Sequence, residues 1–152
     1  MTSSALFAFL HHAAAFLLVA VVMVELVLMR GEITVASART LLRMDSVYGI
    51  SAVVLLIVGF VRVAYTEKGA GYYFHSGPFL AKLALFVMVG LLSIVPTVRF
   101  FGWRKAVRAG QAPAIDDAAR RRIRMIIHIE LTLLFLIMLC AALMARGIGF
   151  IG

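Results

Sequence analysis

Apolar residues in this chain fall into four long runs, at 5–29, 46–65, 79–101 and 124–145, separated by three polar segments. A helix needs about 20 residues to cross the hydrocarbon core of a bilayer, and each run reaches that length. Hydrocarbon offers the backbone no hydrogen-bond partner, so each run is predicted to be a transmembrane helix. Pro96 falls inside the third run, where its missing N–H predicts a bend or an end to regular helix. The predicted fold class is all-α, an integral membrane four-helix bundle forming one domain over residues 1–152.

Composition sharpens this picture. The chain is 64% hydrophobic and 14% charged, with mean hydropathy +1.06. Soluble domains are about 25% charged, so a water-soluble fold would leave most of this apolar surface exposed. The segment at 1–4 lacks a positive n-region, and the first run exceeds a signal peptide's h-region, so it is expected to be a retained anchor. Cys140 is the single cysteine and offers no disulfide framework.

The net charge of +8 raises nucleic-acid binding, which the placement of the charge excludes. Segment 30–45 carries Arg30, Arg39 and Arg43. Segment 102–123 carries Arg104, Lys105, Arg108, Arg120, Arg121 and Arg122, with Arg99 and Arg124 at its edges. Segment 66–78 holds Lys68, with Arg62 just before it, and the last residues hold Arg146. Four crossings put the two basic segments on one side, and the positive-inside rule makes that side cytoplasmic, with both termini outside. The expected location is a bacterial cytoplasmic (inner) membrane, as a multi-pass protein. The basic cluster at 120–124 is expected to meet anionic headgroups, making membrane lipids its partner, while Asp116 or Asp117 is expected to cap a short helix leading into it.

Ionisable groups inside spans are costly and point to function. An outer layer holds His11 and His12 on the first helix, Arg62 on the second and Lys82 on the third. Tyr48, Ala52, Leu55, Gly59 and Arg62 recur at helical spacing, as do Lys82, Phe86, Val89, Ser93 and Pro96. Both stripes suit helix–helix seams. Arg62 and Lys82 read equally as snorkelling side chains near helix ends, and the histidines as interfacial residues. An inner layer holds Glu25, Asp45, His128 and Glu130, with Arg30, Arg43 and Arg124 nearby. Glu25 is expected to pair with Arg30, Arg43 or Arg124, because a lone carboxylate at this depth is expensive. In the segment at 66–78, Tyr72, Tyr73 and Phe74 suit an aromatic belt or a lid over the outer layer.

Nucleotide-binding glycine loops, a nucleophile elbow and the metalloprotease His-Glu-x-x-His pattern are all missing. His11 and His12 point about 100° apart on a helix, so a metal site would need ligands from other helices, where His75 and His128 remain.

These residues carry a resemblance. The runs Leu10-His11-His12 with Glu25-Leu26, Lys68-Gly69 with Tyr72-Tyr73-Phe74, Phe79 with Lys82, Ser93-Ile94-Val95-Pro96-Thr97, and 142–147 look like an uncharacterised bacterial family of four-helix membrane proteins, a domain of unknown function. More distantly, Leu10-His11, Lys82-Leu83-Ala84-Leu85 and Glu130-Leu131 resemble the HemJ-type protoporphyrinogen oxidases. That resemblance implies haem b, with His11 as iron ligand; His12 is the competing ligand, and Lys82 and Arg62, which share the layer, are the candidates to hold the propionates. The last helix reads Ile129-Glu130-Leu131-Thr132 where those oxidases have Asn-Glu-Ile-Pro, so porphyrinogen oxidation itself is not implied. Two functions follow as expectations. One is haem-based redox chemistry with a quinone or porphyrin-like partner. The other is a non-catalytic accessory or scaffold subunit, in a homo-oligomer or a membrane complex.

Overall fold

The computed structural model describes residues 3–66, 71 and 75–149. Its elements are α1 (Ser3–Arg30), α2 (Val35–Val61), a π-helical turn continuing α2 (Arg62–Thr66), α3 (Gly77–Gly102), a short α4 (Arg104–Arg108) and α5 (Asp117–Ala145). Among the described residues there is no strand, and four helices are long and apolar enough to cross a membrane. The protein is an all-α membrane helical bundle.

Two helices start well before their apolar runs. α2 begins at Val35 because Thr34 and Ser37 form a reciprocal cap: the Ser37 N–H donates to Thr34 Oγ1 at 3.2 Å, and the Thr34 N–H donates to Ser37 Oγ at 2.8 Å. Arg39 and Arg43, expected in a loop, therefore ride on the exposed face of this helix. α5 begins at Asp117, where the Ala119 N–H donates to Asp116 Oδ1 at 2.6 Å. The cap expected to open a short helix instead opens the whole fourth span. Pro96 neither ends α3 nor reaches solvent; it is buried and the helix continues to Gly102.

α1 packs closely on α2, and α3 on α5. α1 joins the two pairs through α5, while α2 and α3 meet more loosely. Leu18, Val22, Met29, Leu41, Val89 and Ile127 are almost fully buried along these seams. Phe9, Phe16, Ile50, Leu91 and Phe135 project outward, which suits a surface solvated by lipid tails. Lipid is as apolar as leucine, so dispersion and polar links between helices hold such a bundle together.

Two such links tie the ends. At the arginine-rich end, Arg120 of α5 reaches the C-terminus of α1: Nε donates to the Met29 carbonyl at 3.2 Å, and one terminal nitrogen donates to the carbonyls of Arg30, at 2.8 Å, and Gly31. A helix leaves its last four carbonyls without partners, and a guanidinium there also complements the helix dipole. At the opposite end, α5 stops in a Schellman turn, with the Ile148 N–H on the Leu143 carbonyl and the Gly147 N–H on that of Met144. The Gly149 carbonyl then accepts from the Gly77 N–H at 3.0 Å, joining the end of α5 to the start of α3. Gly149 adopts φ +80°, and a Cβ there would lie 2.8 Å from Pro78 Cδ, so this junction admits no side chain.

Candidate functional site

At the end of the bundle that carries His11, the loose seam between α2 and α3 opens into a cavity of about 120 Å³. α1 contributes His11, α2 and its π turn contribute Leu55, Gly59 and Arg62, and α3 contributes Phe79, Lys82 and Phe86, with Ile137 and Met144 of α5 closing the wall. Leu56 and Phe60 also line it and are themselves exposed, so the cavity opens toward the lipid-facing surface. The two helical stripes read from the sequence supply five of these lining residues, Leu55, Gly59, Arg62, Lys82 and Phe86. Gly59 matters because a Cβ there would already stand 3.4 Å from His11 Cε1; its absence lets the imidazole lie against the α2 backbone.

Each titratable group in the cavity has a distinct setting. His11 Nδ1 is buried with no hydrogen-bond partner. Lys82 Nζ sits 5.3 Å from the centre of the Phe79 ring, a cation–π distance, and the charges of Lys82 and Arg62 both act on His11. His12 turns away: its ring is exposed, and Nδ1 donates to the Ala8 carbonyl one turn back at 2.7 Å. The sequence left open which histidine faces the bundle interior, and the structure places His11 there. His75 and His128 are exposed and line no part of the cavity. Among the described residues no three His, Cys, Asp or Glu side chains gather as a metal-ion site. The Tyr72-Tyr73-Phe74 segment, expected as a belt or lid, lies outside the described residues.

A second polar group lies deeper, toward the arginine-rich end. Glu25 of α1, Asp45 of α2 and Glu130 of α5 are all buried. Thr97 of α3 donates its hydroxyl to Asp45 Oδ1 at 2.6 Å, while the Ser93 hydroxyl donates to the Gly90 carbonyl of its own helix at 2.8 Å. The Thr97–Asp45 bond stitches α2 to α3 where their contact is sparse. The expected pairing of Glu25 with Arg30, Arg43 or Arg124 does not form: among the described residues no ion pair joins these groups, and Glu25 Oε1 has no hydrogen-bond partner. The reason is azimuth. Arg43 stands two positions from Asp45, and His128 two from Glu130, each about 200° around the helix, so both are exposed while their neighbours are buried. Arg124 is half-buried and belongs to no described pair.

Compared with known proteins, the chain matches the family model described as "Predicted membrane protein (DUF2214)" over residues 3–149. The chain belongs to this family. No curated protein and no solved structure matches it. The family description agrees with the membrane bundle and with the uncharacterised family that the sequence resembled.

Proposed function

We propose that this protein binds haem b in the cavity at the His11 end and takes part in redox chemistry within the membrane. The observation that carries the reading is the buried, unpartnered Nδ1 of His11 in a cavity it shares with Arg62 and Lys82. An unpaired polar atom at this depth is expensive, and an imidazole nitrogen is the usual axial ligand of haem iron. His11 would hold the iron, while Arg62 and Lys82 would hold the propionates, the guanidinium being suited to two-point carboxylate contact. When bound, the haem would supply one-electron chemistry. The chain's own part is to orient the ring through Gly59 and Phe86 and to keep water from it with apolar walls.

Size limits the site. Enclosed pockets for organic ligands hold about 300–1,000 Å³, well above the 120 Å³ here, so the group must be shared with the lipid-facing opening at Leu56 and Phe60. Such an opening also suits a quinone or porphyrin-like partner arriving from the bilayer. The same small volume favours a second reading, a non-catalytic accessory or scaffold subunit whose polar residues serve helix packing.

Absorption spectra of detergent-purified protein, expressed with ample haem, separate the two. The expected result is a Soret band that His11→Ala abolishes and His12→Ala preserves. Gly59→Leu, which fills the space over His11, is expected to weaken the band while leaving helicity intact. Wild-type protein without a Soret band overturns the haem reading and leaves the scaffold.

The orientation is proposed with it: a bacterial inner membrane, both termini outside, and the 102–116 segment in the cytoplasm. In right-side-out vesicles, a membrane-impermeant thiol reagent is expected to spare Ala109→Cys and to label His75→Cys. Labelling of Ala109→Cys from outside reverses the topology.

A further inference from the structure

The group around Glu25, Asp45 and Glu130 is absorbed by neither reading of the cavity, and its charge balance is unusual. Each of three helices contributes one buried carboxyl group. The residues are 3%, 6% and 1% exposed for Glu25, Asp45 and Glu130 in turn. Glu25 lies in the field of both Asp45 and Glu130, and Glu130 in that of Asp45.

The titratable and charged groups facing this site can be named element by element. α1 supplies Glu25, α2 supplies Asp45 and Tyr48, and α5 supplies Glu130. α3 supplies only the hydroxyls of Ser93 and Thr97, and α4 supplies Arg104, whose charge acts on Asp45. Arg104 is exposed and lies 3.8 Å above the Phe101 ring. It is a distant counter-charge for Asp45 and none for the two glutamates.

Two further observations point to what the site holds. Glu25 Oε1 and Glu130 Oε1 are each buried without a hydrogen-bond partner, although both residues are more than nine-tenths buried. Among the described residues the one hydroxyl that donates to these carboxyl groups, that of Thr97, is already committed to Asp45. And the carboxyl groups do not gather as a metal-ion site among the described residues. Three negative charges here would meet neither a paired cation nor a coordinated one, in a medium where each uncompensated charge is expensive. The remaining way to neutralise them is the smallest ligand available.

We propose that this site binds protons: an intramembrane proton-holding site in which Glu25 and Glu130 hold the protons and Asp45 passes them in and out. In each binding step a carboxylate oxygen gains a proton to form an O–H bond, and release breaks that bond with no electron transferred. Asp45 is the exchange point. It is the least buried of the three and the one within reach of Arg104's charge, while its Thr97 bond fixes its rotamer. Glu25 and Glu130 store protons behind it. This assignment does not depend on what occupies the cavity at the His11 end.

Infrared spectroscopy of the protein in lipid nanodiscs at neutral pH tests the site, because a protonated carboxyl has a C=O stretch that a carboxylate lacks. The expected result is a protonated-carboxyl band that shifts in D2O, weakens in Glu25→Gln and again in Glu130→Gln, and vanishes in the double variant. Asp45→Asn is expected to keep most of the band and to slow its deuterium shift. Circular dichroism confirms that each variant is helical, and the wild-type spectrum decides even if a variant fails to fold. No such band in folded wild-type protein overturns the proposal. So does a band that survives in the double variant, or one that added sodium or potassium removes, the last identifying a metal-cation site instead. A Soret band, present or absent, bears only on the cavity.

Discussion

Replacing Arg120 with alanine is expected to destabilise the purified protein by about 2–4 kcal/mol, while Arg121→Ala, one position away and exposed, changes it by less than about 0.5 kcal/mol. Arg120 donates to three successive carbonyls at the end of α1. A hydrogen bond from a charged donor contributes about 1.5–3 kcal/mol, and water at the helix end recovers part of the loss. Arg120→Lys is expected to fall between the two, because a single ammonium cannot present the guanidinium's fork of N–H groups. Thermal unfolding in a fixed detergent, read by circular dichroism, gives the ordering. Equal melting of the Arg120 and Arg121 alanine variants would show that the contact with α1 contributes nothing.

Glu130→Leu is expected to act in the opposite direction, stabilising the bundle by about 1–3 kcal/mol, the cost of burying a polar group without a full set of partners. Glu130 is 1% exposed and one of its oxygens is unpartnered. Leucine is similar in size and has nothing to desolvate. Glu130→Lys, which places an ammonium group at the same depth, is expected to prevent assembly of the folded bundle. The same unfolding assay checks both, and a lower melting temperature for Glu130→Leu would mean that the carboxyl group has a stabilising partner. If the leucine variant gains stability while the protonated-carboxyl band weakens, the position trades stability for function, as functional polar groups commonly do.

The sequence was informative wherever depth in the membrane decided the outcome. Four apolar runs gave four helices, and the stripes through Gly59 and Arg62 and through Lys82 and Phe86 gave the part of the cavity wall where α2 faces α3. Glu25, Asp45 and Glu130 were recognisable as polar groups at membrane depth. Their partners were not, because depth says nothing of azimuth: Arg43 and His128 share a level with the carboxyl groups yet face elsewhere. The early start of α2 was hidden because Arg39 and Arg43 lower local hydropathy, although arginine is a good helix former and Thr34 with Ser37 offered a cap. Arg120 looked like one cation in a lipid-facing cluster. Nothing local to it reveals a contact with backbone carbonyls about 90 residues away.

That contact also constrains the order of events during biosynthesis. At about 5–20 residues per second, the ribosome delivers Arg120 roughly 5–18 s after Met29, the two being 91 positions apart. Until Arg120 arrives the final carbonyls of α1 stay unclamped, and once α2 has followed it the α1–α2 hairpin is free to tilt or to associate with other membrane helices. Emergence of α5 then works as a latch, fixing the first-made helix by means of the last.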